Sequence, residues 1–437
     1  SYAQNKPKKK KPVVKTTKWD EMDIGSFQSY GLETTLEGKL WRPALKGLNI
    51  KLSENTSVCF DTERLRMSAG WTGGFIKLPA GRDGLQGVPA IIGSLAFRTQ
   101  MVPGWSGPKG EWAEPNPPVF NRNDVYSKGP LPRNWAKWRG HYTHGNQVIL
   151  SYTVGASGVL ELPGFSGDIF TRQFEITHSP SKSPLNLLVA EVPGASGKIE
   201  GNLAKLELDG KITGAAVMNP GVKLKAESGR ITAEIKSLLP NSRFIIGIWN
   251  GPKEQVDKLE RFSTTKIKAR ALSTMIKGGP AKWSKQVTTR GRLGLTPGPY
   301  VVDTITVPEE NPWRSWIRCS GFDFFKDGKT AAVSSVTGDV WLVSGIDEPL
   351  RELKWRRYAT GLFQPLGLKI VDDQVYVLGR DQITRLHDLN GDGEADYYEN
   401  FNNDISISNH YHEFCMNLST DTEGNFYFVK GGNLRAA

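Results

Sequence analysis

The sequence predicts a mainly β protein, with N-terminal β-sandwich-like modules followed by an incomplete β-propeller. Three observations carry this. Glycine (47) and proline (26) are abundant in 437 residues, as many short strands joined by tight turns require. Apolar runs of strand length flank turn dipeptides such as Asp209-Gly210 and Ser228-Gly229. After Val301, a strand–turn–strand theme recurs every several tens of residues.

Composition fits packed cores: 38% of residues are hydrophobic, 10% aromatic and 23% charged, which excludes a chain that is disordered throughout. The length suggests two or three domains. The net charge of +11 points less to nucleic acid than to a basic arm. Residues 1–18 hold seven lysines and no acid, so 11 − 7 leaves +4 for the remaining 419 residues. Residues 1–20 therefore read as a basic flexible tail, with attachment to anionic lipid or polysaccharide as its livelier reading. Ser1-Tyr2-Ala3 before Gln4 resembles the end of a signal-peptidase site, so an exported protein, periplasmic or extracellular, is expected. No run of 18 apolar residues offers a membrane span. Cys59, Cys319 and Cys415 are far apart and form no C-x-x-C or C-x-x-C-H, so no haem c is expected in this chain, and buried thiols are the default.

Residues 21–158 read as an N-terminal β domain. Lys39–Leu52 is broken by Pro43 and Gly47. Ser57–Asp61 and Gly73–Leu78 follow as short strands, and Pro89–Arg98 as a buried one. Residues 103–135 form a Pro/Trp-rich loop of functional or lid type. Trp138–Thr143 and Gln147–Val154 resume the strands. Residues 159–275 read as a β-sandwich-like region. Its hairpins are Leu203–Leu208 with Ile212–Val217, and Val222–Leu224 with Arg230–Ile235. Arg243–Trp249 closes the set. Lys253–Met275 is the one helical segment, with Val256, Leu259 and Phe262 at a spacing of three. Residues 276–300 read as a basic linker. Residues 301–437 read as a partial propeller: at roughly 45 residues per blade they supply about three blades, against about four for closure.

The sharpest motif is DLNGDGEADYYE at 388–399. Asp388, Asn390 and Asp392 stand at positions 1, 3 and 5. Gly393 takes the sharp turn at 6, Glu394 offers its carbonyl at 7, and Asp396 and Glu399 take 9 and 12. Ca²⁺ takes about six to eight hard oxygens, and this alternation converges them on one point. The bland reading is an acidic turn without an ion. With no flanking helices, the expectation is structural calcium in a β protein.

PWRSWIRCSGFDFF, GDVWLVSGI, LKWRRYATGLFQPLGLKI, GRDQITRLHDLNGDGEADYYENF, HEF and EGNFYFVKGG resemble a family of large, exported planctomycete-type proteins. These contain a sorbosone-dehydrogenase-like β-propeller, commonly with a c-type haem domain further along. VCFDTERLRMSAGWTGGF and YTHGNQVILSYTVG resemble the uncharacterised N-terminal domain that precedes that propeller. The resemblance implies a quinoprotein-like sugar or aldehyde dehydrogenase, with pyrroloquinoline quinone as cofactor and a cytochrome as electron acceptor. His412, ahead of Leu418, Glu423-Gly424 and Tyr427, is similar to the histidine that soluble quinoprotein sugar dehydrogenases place before an L-x(n)-D/E-G-x-x-Y strand as general base, at a spacing one residue longer. The alternative is a loop histidine packed beside His410 and Tyr411. Arg380 and Lys430 end apolar strands, where they would face an anionic quinone or plain solvent. His141 and His144 lie on opposite sides of a strand, which disfavours a shared metal. Trp71 suits core packing, while Trp105 and Trp112 are open to a sugar platform.

The expectation is thus the N-terminal portion of an exported dehydrogenase acting on a carbohydrate or small aldehyde, inactive as this chain alone. A non-catalytic carbohydrate- or protein-binding module with a calcium-stabilised propeller is the rival. A polysaccharide hydrolase or lyase is weaker, because no paired-carboxylate motif stands out.

Overall fold

The computed structural model describes residues 18–432, apart from 37, 80–86, 114–118, 122, 123, 128, 178–183, 219, 220, 237–240, 297, 348 and 411. Lysines 6–15, Ser1-Tyr2-Ala3, Pro115, Pro117, Pro118, Tyr411 and the terminal Asn433-Leu434-Arg435 lie outside the described residues.

Among the described residues the molecule is mainly β, built almost wholly of antiparallel sheets, none of them closed. A five-stranded sheet runs in the order Phe27–Ser29, Gly47–Ser53, Thr56–Asp61, Arg66–Thr72, Ser94–Arg98. It packs on a twelve-stranded sheet. In Thr56–Asp61 every residue is buried, and Phe60 stacks on Tyr152 with ring centroids 5.8 Å apart. Apolar side chains from both sheets and from the Leu185–Glu191, Val222–Glu227 and Arg230–Ile235 strands share one core.

The twelve-stranded sheet unites distant parts of the chain. From one edge run Ser196–Glu200, Leu203–Leu208, Lys211–Val217, Arg243–Pro252, Ile169–Ile176, Ser157–Ser166, Gln147–Val154 and Ala136–His144. The ladder then passes directly to Tyr397–Asn402, Ile383–His387, Gln374–Leu378 and Gly367–Val371. Its hydrogen bonding therefore crosses residue 158 and joins the 136–252 region to the segment after 301.

The C-terminal segment holds successive meanders. Cys319–Phe324, Ala331–Ser335, Val340–Ser344 and Leu353–Ala359 form the first, Gly367–Val371 to Tyr397–Asn402 the second, and Phe414–Thr420 with Phe426–Gly431 open a third. Their first strands begin at Cys319, Gly367 and Phe414, which is 367 − 319 = 48 and 414 − 367 = 47 residues apart. The first strands lie side by side: Gly321 closes on the Leu368 backbone, and Gly367 on Asn417 and Leu418.

The expected hairpins form, with Asp209-Gly210 and Ser228-Gly229 all at positive φ, as two-residue turns demand. Three elements differ. Pro89–Arg98 is not one buried strand; it splits into Ala90–Ile91 and Ser94–Arg98 around Gly93 (φ +111°), and only Phe97 of the latter strand is fully buried. The helical segment contracts to Asp257–Thr264, since Thr265 at its C-terminus is already extended. Leu259 and Phe262 of this helix lie against Gly214 and Gly247, where a Cβ would collide with them. Burying each contributes about 2–3 kcal/mol. Residues 276–300 are more than a linker: Gln286–Thr289 pairs with Leu353–Ala359, and Trp283 is buried against Trp313.

Trp71 is fully buried, as expected. Trp105 is buried as well, against Tyr152 and Phe174, which removes it as an exposed platform. All three cysteines are free; Cys59 and Cys415 are buried and Cys319 is exposed.

Candidate calcium loop and its surroundings

The acidic loop is the turn between Ile383–His387 and Tyr397–Asn402. Asp388 nucleates it: Oδ1 accepts from the amides of Gly391 (2.7 Å) and Asp392 (3.2 Å), and Oδ2 from Gly393 (2.7 Å). Asn390 Oδ1 accepts from the Asp392 amide and Asp392 Oδ1 from the Glu394 amide, both at 3.0 Å. Gly391 and Gly393 hold φ of +76° and +84°, which lets the chain curl around these side chains. The Arg356 guanidinium donates to the Asp392 carbonyl and sits where a Cβ on Gly393 would fall.

The 276–300 segment clamps the loop from outside. The Gly279 amide donates to Asp396 Oδ1 at 2.8 Å, and Asn390 Nδ2 to the Gly279 carbonyl at 2.7 Å. The Trp283 amide donates to Glu394 Oε2 at 2.7 Å. Asp396 Oδ2 also accepts from the Leu389 amide at 2.9 Å. Burial pushes the Glu394 carboxyl up to about 7, with the Asp392 and Asp396 charges adding to it. Burial also raises the Asp396 carboxyl, helped by the charges of Asp392 and Asp388. Negative charge is thus concentrated where a cation would relieve it.

The donor set suits calcium in kind. Asp388, Asn390, Asp392, Asp396 and the Glu394 carbonyl are hard oxygens on one tight turn. Among the described residues, however, no three His, Cys, Asp or Glu side chains converge as a ready metal cage. Glu399 does not return to the loop. It lies in the Tyr397–Asn402 strand, opposite Gly140, and its Oε2 bonds His387 Nε2 at 2.7 Å. That hydrogen bond to His387 holds the Glu399 carboxyl below its ordinary range. An exiting helix curls back toward its loop, whereas a strand rises about 3.3 Å per residue and carries position 12 roughly 10 Å beyond position 9. The ligand-type residues the structure gathers are those of positions 1 to 9.

Arg380, Lys430 and His412 gather around the 408–413 loop. Arg380 is buried; Nη1 donates to Gln364 Oε1 at 3.0 Å and Nη2 to the carbonyls of Ser408 (3.3 Å) and His410 (2.9 Å). Its guanidinium also lies over Phe363 and Phe414. Lys430 Nζ pairs with Glu413 at 3.0 Å, and Glu413 in turn accepts from the Ser408 amide and hydroxyl. His412 is exposed, with its amide donating to His410 Nδ1 at 3.2 Å. Both cations thus have protein partners.

His141 is buried between Phe27 (ring centroids 4.4 Å apart) and Tyr398 (4.8 Å). Burial forces its imidazole down to about 3, so it stays neutral.

A buried ionic cluster escaped sequence reasoning. Lys46 pairs with Glu63 at 3.0 Å, Arg64 with Asp61 at 3.5 Å, and Arg66 with Asp61 at 3.2 Å, and each of these side chains is no more than 1% exposed. Lys46 Nζ also donates to the Asn403 carbonyl at 2.9 Å, and Ser127 Oγ to Glu63. Leu65, between the arginines, holds φ +51°. The signal was present: Asp61-Thr62-Glu63-Arg64-Leu65-Arg66 puts two acids and two arginines in six residues of a strand–turn–strand.

Residues 58–161, which contain most of this cluster, match the profile of a domain of unknown function (DUF6797). No curated protein sequence matches the chain.

Proposed function

We propose that the chain is the N-terminal portion of an exported, quinoprotein-like sugar or aldehyde dehydrogenase, whose segment from 301 onward supplies the opening blades of a sorbosone-dehydrogenase-like propeller. The observation that carries the reading is the 48- and 47-residue recurrence of meanders whose first strands lie side by side. Propeller blades are meanders set around an axis with their innermost strands adjacent. The Asp388–Asp396 turn within the second meander takes structural calcium on this reading, through Asp388, Asn390, Asp392, the Glu394 carbonyl and Asp396.

In the complete protein a quinone would supply hydride acceptance, and a cytochrome would receive the electrons. On this reading His412 takes the hydroxyl proton: it is exposed and borders the loop where Arg380 and Lys430 gather. Arg380 and Lys430 shape that loop, through the Ser408 and His410 carbonyls and through Glu413.

The test is calorimetry with Ca²⁺ and then with pyrroloquinoline quinone, on this chain and on one extended to a closed propeller, followed by dye-coupled oxidation of a sugar and aldehyde panel. Quinone binding and turnover by the extended chain, lost in His412→Ala, is the expected result. Calcium binding with no quinone binding by the extended chain overturns the enzyme and leaves a calcium-stabilised binding protein.

A further inference from the structure

A cleft of about 340 Å³ opens on the N-terminal half, far in sequence from the 408–413 loop. Its floor comes from Ser157–Ser166 and Ile169–Ile176 of the twelve-stranded sheet, and its walls from the Gly47–Ser53 strand, the turn at 145–146 and the 267–270 segment after the helix. Three of the side chains lining it are cationic (Lys51, Lys268 and Arg270) and none is acidic. Lys268 and Arg270 are exposed, and neither has a carboxylate partner among the described residues. Lys51 meets only the exposed Glu54, at 3.1 Å, a surface pair worth about 0–1 kcal/mol that a ligand can displace. Outside the lining, Lys282 Nζ donates to Asn146 Oδ1 at 3.1 Å and so fixes that side chain.

The rest of the lining narrows the ligand. Asn146, Gln147 and Gln173, with amide side chains, line it together with the hydroxyl residues Thr171 and Ser166 and the aromatic Phe165. Gln173 is held in place by its own Nε2 bond to the Arg270 carbonyl at 3.1 Å, which also fixes the backbone that carries Arg270. Paired amides and hydroxyls next to a ring face are the groups that receive a polyhydroxylated ring, while isolated cations receive a carboxylate or sulfate. A nucleic-acid strand would ask for a longer basic track with stacking aromatics, and Phe165 is the single aromatic in this lining.

We infer that this cleft binds an acidic sugar unit, a uronate- or sulfate-bearing residue of a polysaccharide, with Lys51, Lys268 and Arg270 on the anion and the amides on the hydroxyls. The inference does not depend on the quinone reading, since it uses no residue beyond 282.

The test is titration calorimetry on the full chain with an oligogalacturonate, a sulfated galactan oligosaccharide, a neutral gluco-oligosaccharide, inorganic sulfate and a single-stranded oligonucleotide. Binding of one or both acidic oligosaccharides that weakens with salt is expected, with at least about a tenfold loss in Lys268→Glu/Arg270→Glu. Lys266→Glu, on the same segment but outside the cleft, should leave affinity within about twofold. Melting curves and circular dichroism establish that each variant is folded. Four results each overturn the inference: no acidic oligosaccharide bound at millimolar concentration, the neutral sugar or inorganic sulfate bound as tightly as the acidic sugar, tighter binding of the oligonucleotide, or undiminished binding by the folded double variant.

Discussion

Gly140 lies opposite Glu399 where the Ala136–His144 strand meets Tyr397–Asn402, with the Tyr398 backbone close against it. Its φ is +121°, and a Cβ added there would stand 2.1 Å from the Tyr398 carbonyl oxygen. Backbone cannot move aside as a flexible side chain can. Gly140→Ala should therefore destabilise by roughly 3 kcal/mol or more. Urea unfolding should show a lower midpoint, and hydrogen exchange should quicken first at Gly140–Tyr142 and Tyr397–Glu399.

The calcium reading distinguishes position 9 from position 12. Saturating Ca²⁺ at about 100 times Kd should add roughly 2.7 kcal/mol of stability. Asp388→Ala or Asp396→Asn should abolish that gain, measured as the Ca²⁺-dependent shift in Tm. Glu399→Gln, which removes the carboxylate charge beside His387 and not a loop ligand, should retain the shift while lowering Tm in both conditions. Loss of the shift in Glu399→Gln would restore position 12 as a ligand.

The Lys46–Glu63 pair predicts a non-additive result. Lys46→Met alone leaves the buried Glu63 with Arg64, 3.6 Å away, as its remaining charged partner and should cost about 3 kcal/mol. Lys46→Met combined with Glu63→Leu removes both charges and should recover part of the loss, although the Ser127 hydroxyl and Asn403 carbonyl then lose partners. A double-mutant cycle by denaturant unfolding measures the coupling.

Acid stability should depend on His141. Its folded pKa is about 3, against an ordinary 6.5, so below pH 6.5 the unfolded chain takes up a proton that the native state refuses. The contribution is complete above 6.5 and is lost as pH falls toward 3, at about 1.4 kcal/mol per pH unit within that window. His141→Phe, which keeps the packing between Phe27 and Tyr398, should flatten this slope. Asp381 acts in the opposite sense: burial raises its carboxyl to about 6, so its contribution is present below 3.8 and is lost as pH rises through 6. Asp381→Asn should stabilise the protein at pH 7. Thermal melts from pH 4 to 8 separate the two.

Local signals made much of this fold legible. Asp209-Gly210 and Ser228-Gly229 carry their turn geometry in the dipeptide itself, and the strands on either side pair as read. The turn geometry of the acidic loop was legible for the same reason, because the spacing of Asp388, Asn390, Asp392 and Gly393 along one turn is local. Pro89–Arg98 misled because an apolar run does not say which face is covered, and Gly93 breaks it. The helical reading ran past Thr264 because charges and apolar residues continue at helical spacing, while tertiary packing rewards only Leu259 and Phe262. The clamp of Gly279 and Trp283 on the acidic loop spans more than 110 residues, and no periodicity reports such a contact. Nor does composition reveal that Arg64 and Arg66 are buried: the sequence shows their charges, and only the fold shows that water is excluded from them.

The junction of Ala136–His144 with Tyr397–Asn402 joins stretches some 258 residues apart. Each would be a bare sheet edge without the other, with its amides and carbonyls open to any passing strand. Modules of this chain are therefore poor units for shuffling. A recombination point between them would hand each descendant an aggregation-prone rim, so the two stretches are expected to be inherited together, and a gene that kept one would have to evolve a new cover for it.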